Sequence, residues 1–131
     1  MRTALVLCGL GVAAAAGGCG IADDRDQARA SASQFFAALQ HGDGATACDH
    51  LSPATASNLE QQEKSSCPKA ILGQSLGGGS VQRVRVYQTD AVVTLSDGEQ
   101  AYLDRRAGGW KVSAAGCKPQ GDAPADCEVA D

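Results

Sequence analysis

The chain predicts an α+β domain in which N-terminal helices pack on one face of a curved four-stranded antiparallel sheet. Three observations carry that reading. Apolar residues recur at helical spacing in the first half, from Ala28 to about Leu72. From Val81 onward the period changes to two. Between the two regimes lies Gly77-Gly78-Gly79, where helical structure ends. Helices first and a meander afterwards is the order of an α+β fold rather than of alternating βα units.

The elements follow in chain order. Met1-Arg2-Thr3 precedes an apolar or glycine run from Ala4 to Ala16. Thirteen helical residues would span roughly 20 Å, short of a ~30 Å hydrocarbon slab, so residues 1–18 read as a signal peptide. The sequence Ala16-Gly17-Gly18-Cys19 resembles a bacterial lipoprotein lipobox, with alanine where leucine is usual at the third position before the cysteine. That resemblance implies cleavage before Cys19 and acylation of its thiol. Two alternatives stand beside it: ordinary cleavage after Ala16, releasing a soluble protein, and retention of the leader as an anchor. Parity favours the first reading, because acylated Cys19 leaves Cys48, Cys67, Cys117 and Cys127, an even set. More than one acyl chain would hold the protein stably on the extracytoplasmic face of the cell membrane.

A lipidated tether is expected over 19–27, then a domain over 28–117. Ala28, Ala32, Phe35, Phe36 and Leu39 form one face of a helix, with Asp23, Asp24 and Asp26 before it where the helix dipole favours carboxylates. His41-Gly42-Asp43-Gly44 stops that helix, and Asp43 can cap a short second one over Ala45 to His50. Ser52-Pro53 opens a third, to about Glu63, and Pro68 starts a last turn or two through Ile71 and Leu72. Arg83 to Tyr87 alternates, Ala91 to Leu95 is a compact strand, and Asp97-Gly98 signals a hairpin into Gln100–Arg106. Gly108-Gly109 then turns into Trp110–Ala114, the fourth strand. Residues 118–131 read as a loop-like tail closed by a disulfide.

The core is lean, since 24 of the 131 residues are alanine. An exported domain of that kind benefits from covalent staples. Of three possible pairings, Cys48–Cys67 with Cys117–Cys127 is expected, because the first ties neighbouring helices and the second closes the tail. No C-x-x-C pair occurs, and Cys48 with His50 fits no zinc finger or ribbon, so neither metal nor cofactor is expected.

With Val84 and Val86 turned inward, Ala91, Val93, Leu95, Ala101, Leu103, Trp110, Val112 and Ala114 follow, and Arg105 at a strand end is the one titratable residue among them. Arg83, Arg85, Tyr87, Tyr102, Asp104, Arg106 and Lys111 face outward. The formal charge of −4 and pI near 5.0 argue against a nucleic-acid partner. Charge is nevertheless segregated: residues 64–118 carry eight basic and four acidic side chains. Arg83, Arg85, Arg106 and Lys111 therefore form a candidate surface for docking onto anionic lipid head groups or an envelope protein; the bland alternative is that they only solvate the sheet. For chemistry, the candidates are Asp49-His50, His41, Tyr87 and Tyr102. The inner positions are apolar, both tyrosines alternate outward, and no nucleophile triad or phosphate loop appears, so no catalytic residue is assigned.

Phe35-Phe36-Ala37-Ala38-Leu39 with Gly42-Asp43, and later Ala101-Tyr102-Leu103 and Gly109-Trp110-Lys111-Val112, resemble the first helix and the last strands of nuclear-transport-factor-two-like domains. With the four spaced cysteines, the chain is similar to small actinobacterial lipoproteins of that superfamily. The resemblance covers about residues 28–117 and implies a helix-capped sheet curved into a cone, sometimes holding a pocket. Relatives include isomerases and cyclases, which makes Asp49 and His50 in the cone the alternative to a small binding module of the cell envelope. A purely structural secreted domain is the other alternative.

Overall fold

A computed structural model describes residues 20–131. The leader and Cys19 lie outside those residues. Four helices precede an open antiparallel sheet: α1 (Ile21–Gln40), α2 (Gly44–His50), α3 (Pro53–Glu63), α4 (Cys67–Leu72), then β1 (Val81–Tyr87), β2 (Asp90–Leu95), β3 (Gln100–Arg106), β4 (Gly109–Gln120), β5 (Ala123–Asp126) and β6 (Val129–Ala130). The strands run β1-β2-β3-β4-β5, and β6 also pairs with β4.

The first correction concerns the expected tether. Helix α1 begins at Ile21, seven residues ahead of the predicted start, so residues 21–27 are helical rather than extended. Alanine-rich sequence propagates a helix readily, and Asp23 and Asp24 in the first turn suit its dipole. Gln27 adds a bond to Asp23 at 2.9 Å, and Asp24 pairs with Arg105 of β3. Farther along, α1 buries Ala28, Ser31, Ala32, Phe35, Phe36 and Ala38 against the sheet. The Arg29 guanidinium donates to the Val81 carbonyl at 3.2 Å, tying the helix to the start of β1.

Asp43 caps α2 as the sequence predicts, accepting from the Thr46 amide at 3.1 Å and its hydroxyl at 2.6 Å. Gly44 lies where a Cβ would sit 2.1 Å from the Pro68 carbonyl oxygen, so α2 and α4 meet backbone to backbone. Cys48 and Cys67 are disulfide-bonded across that contact, with Cα atoms 6.1 Å apart. Ser52 caps α3 and also binds it to the sheet. Its amide donates to the Val112 carbonyl at 2.8 Å, and its hydroxyl accepts from the Thr55 amide at 3.2 Å. The Thr55 hydroxyl donates to the Ser113 carbonyl at 2.8 Å. Both side chains are fully buried, so these bonds hold polar groups that would otherwise be costly inside.

The inner face of the sheet is as dry as its alternation implies. Val84, Ala91, Val93, Leu95, Ala101, Leu103, Trp110, Val112 and Ala114 are buried, and Val86 is half-buried. Arg105 folds its guanidinium over the Trp110 ring, 5.2 Å from the centroid, while it pairs with Asp24.

The second correction is the strand count: the sheet has about six strands, and the tail is not a loop. Strand β4 runs on past Ala114 to Gln120, turns at Gly121 in the left-handed region (φ +63°), and returns as β5. β6 then sets Ala130 opposite Ala114 and Val129 opposite Ala115. Alternation fails through Ala114-Ala115-Gly116-Cys117 because all four are buried. The register also slips by bulges between β3 and β4 there. Pro124 sits in β5 at the sheet edge, where a missing donor costs no ladder bond. Cys117 and Cys127 are disulfide-bonded across this part of the fold.

Candidate functional site

The outer face of the sheet forms a groove whose shape follows from strand register. On β1, Arg83, Arg85 and Tyr87 project outward. Their cross-strand partners on β2 are Thr94, Val92 and Asp90, and those pair in turn with Gln100, Tyr102 and Asp104 of β3. Directly opposed Cβ atoms lie about 5 Å apart, so each row is a ladder of three neighbours. Val92 and Thr94 are short, whereas the side chains flanking them are long. The result is a trough along β2 of about 230 Å³, with Arg83, Arg85 and Tyr87 on one wall and Gln100 and Tyr102 on the other. Tyr102 is half-buried and donates its hydroxyl to Gln100 Oε1 at 3.3 Å.

The four basic residues proposed from sequence do not form one patch. Arg83 and Arg85 stand together in the groove, exposed, and neither forms an ion pair among the described residues. Arg106 pairs with Asp104, its neighbour two positions back on the same strand. Lys111 reaches around the sheet to the Asp49 carbonyl at 2.6 Å. On β1 to β3 the outward charges are Arg83, Arg85 and Arg106 against Asp90 and Asp104; with Arg106 and Asp104 paired, the two β1 arginines face Asp90 alone, a net +1. Two guanidinium forks beside a tyrosine hydroxyl can hold a carboxylate or phosphate oxygen set. Val92, Thr94 and Gln100 were not singled out from sequence; pairing the strands outward from the Asp97-Gly98 turn places Thr94 opposite Gln100 and would have exposed the trough.

The acid–base candidates sit elsewhere. His50 ends α2, half-buried at an open cleft of about 270 Å³ lined also by Ser31, Trp110 and Lys111 but not by Asp49. Burial and the nearby Lys111 charge lower the His50 pKa, against an opposing pull from Asp49, so the ring is neutral near pH 7. Ser31 Oγ lies 3.4 Å from His50 Nδ1 but donates to the Trp110 carbonyl at 2.7 Å. Its proton is therefore committed to the backbone and is not shared with the imidazole as in an activated serine. His41 is exposed, its Nδ1 2.7 Å from the Ala37 carbonyl at the end of α1. Asp49 is exposed. Tyr87 lies at the mouth of the groove, on the far side of the sheet from His50. The structure thus brings Tyr87 and Tyr102 together with Arg83 and Arg85, and separates them from His50 and His41.

Among the described residues, no group of three or more His, Cys, Asp or Glu side chains is arranged to hold a metal ion. No helix among them is long and apolar enough to cross a membrane. No protein-family model, curated protein or solved structure matches the chain.

Proposed function

We propose that this chain is a small binding module of the cell envelope, held on the extracytoplasmic face of the membrane through acylated Cys19, and that its working surface is the outer groove. The observation that carries the reading is the pair Arg83–Arg85, two cations side by side, neither in an ion pair among the described residues, above a trough walled by two tyrosines. Such a site takes an anionic group, phosphate or carboxylate, carried by a lipid or by a protein of the envelope. Export is supported by the two disulfides, which persist in an oxidising compartment. Helices first and a meandering sheet afterwards support membership of the nuclear-transport-factor-two-like superfamily. In this member the space between helices and sheet is filled by Phe35, Leu103, Val93 and Ile71, so the binding surface lies outside the cone.

The test is a titration of the full-length acylated protein in detergent micelles with sn-glycerol 3-phosphate, followed by NMR. Shifts concentrated on Arg83, Arg85 and Tyr102, and abolished in Arg83→Glu/Arg85→Glu, are the expected result. Shifts spread evenly over Arg25, Lys69 and Lys118, or none, would defeat the reading. Intact mass before and after reduction checks the acyl addition at Cys19 and the two bridges together.

A further inference from the structure

The start of α1 and the Tyr87 end of the groove lie at the same end of the molecule. Helix α1 starts at Ile21, two residues after Cys19, and two residues of chain reach no more than about 7 Å. Any acyl group on Cys19 therefore holds the first turn of α1 against the bilayer surface with almost no slack. That turn is fastened to the sheet: Asp24 pairs with Arg105, and the Arg105 amide donates to the Thr89 carbonyl at 2.7 Å, in the turn joining β1 to β2. Tyr87, the last residue of β1, sits opposite Asp90, which sits opposite Asp104, so it is two strands or about 10 Å from the end of β3. Among the described residues only three large apolar side chains are well exposed, and two of them, Ile21 at 66 % and Tyr87 at 54 %, belong to this end. The third, Leu72, lies beside Leu39 and Gln40 at the other end of α1, about 30 Å away at 1.5 Å per residue.

We propose that the groove binds the head group of an anionic phospholipid belonging to the membrane in which the protein is anchored. Tyr87 sits at the interface between head groups and acyl chains, where an aromatic ring with a hydroxyl is stable, and Arg85 and Arg83 reach the phosphate from above it. The carboxylates at that end are partly countered by cations. Of Asp23, Asp24 and Asp26 on α1, Asp24 is paired with Arg105, and Asp23 shares a cleft with Arg105 and Arg106. In the row that ends the groove, opposite Tyr87, Asp104 is paired with Arg106, which leaves Asp90 alone against two arginines.

This inference rests on acylation of Cys19 and on the groove being an anion site, and the experiment separates the two levels. The chain has a single tryptophan, Trp110, which is buried. Acylated full-length Tyr87→Trp and Leu72→Trp proteins are reconstituted into phosphatidylcholine vesicles with brominated acyl chains, with or without phosphatidylglycerol. Quenching at Tyr87→Trp is expected to exceed that at Leu72→Trp at least twofold in vesicles containing phosphatidylglycerol. Adding Arg83→Glu/Arg85→Glu should return it to the level seen in phosphatidylcholine alone. Equal quenching at both positions, or quenching indifferent to the arginines and to phosphatidylglycerol, overturns the inference. If soluble glycerol phosphate still binds in micelles while Tyr87→Trp stays unquenched, the membrane ligand is wrong and the anion groove stands. If neither is seen, both fall.

Discussion

Removing the bridge between α2 and α4 offers the sharpest test of how this domain is held together. Cys48 and Cys67 are 19 positions apart, and Cys117 and Cys127 are 10 apart. Loop-closure entropy assigns about 3.2 kcal/mol to the first cross-link and about 2.7 kcal/mol to the second at 25 °C. An unfolding entropy of about 2.1 cal/mol/K per residue over about 110 residues converts these to losses of about 14 °C and about 12 °C in Tm. Chain entropy alone therefore makes the bridges nearly equal. Their contexts differ. α2 has seven residues and α4 has six, too few for either helix to persist without tertiary support. The second bridge instead lies between strands already paired through β4. Cys48→Ala/Cys67→Ala should accordingly lose more than its 14 °C, and should fray α2 and α4 in hydrogen exchange before global melting. Cys117→Ala/Cys127→Ala should lose about 12 °C or less and melt in one step. Differential scanning calorimetry and hydrogen exchange on both variants decide the matter. A smaller Tm loss in the first variant than in the second would refute the assignment of α2 and α4 as bridge-dependent.

Other expectations follow from single contacts. Thr55→Val removes the hydroxyl that donates to the Ser113 carbonyl and accepts from the Ser52 hydroxyl at 2.7 Å, and urea unfolding should show a loss of about 1–3 kcal/mol, chiefly from the Ser52 donor left buried without a partner. Gly44→Ala drives a methyl into the Pro68 carbonyl and should cost about 1–3 kcal/mol; the penalty should shrink in the Cys48→Ala/Cys67→Ala background, where α2 can move away from α4. His50 has its pKa lowered by burial, so the unfolded chain takes up a proton before the folded one does. Stability should thus be full above pH 6.5 and should fall as the pH drops from there through the folded-state value. His50→Gln should flatten that slope in a series of urea melts.

The parts of the fold legible in the sequence are those where burial repeats at a fixed period. Phe35, Phe36 and Leu39 give α1 its phase, and Val84 to Val86 and Leu103 give β1 and β3 theirs. The start of α1 escaped because residues 21–27 contain no buried side chain; their helicity rests on propensity, the dipole and one pair to Arg105, far away in sequence. The end of β4 escaped for the opposite reason. Ala114 to Cys117 are buried without interruption, and a strand covered on both faces loses its alternation. β6 has two residues, too few for any pattern. At the site, alternation placed Arg83, Arg85, Tyr87 and Tyr102 on one face. It also grouped Arg106 and Lys111 with them, because periodicity reports the face and not the neighbour. Arg106 is quenched by Asp104, and Lys111 is drawn to a carbonyl 62 positions earlier, a partner only tertiary structure supplies.

Every other layer leans on β4: β3 along one side, β5 and β6 along the other, α1 across it, and α3 through the Ser52 and Thr55 bonds. This strand follows all four helices and β1 to β3 in chain order. Until residue 120 has been added, α1 can close on the sheet only at β1 to β3, and the Ser52 and Thr55 bonds of α3 lack their partners on β4. A polypeptide arranged this way seats α3 only once that strand has been made, so its long-range pairings form after its helices.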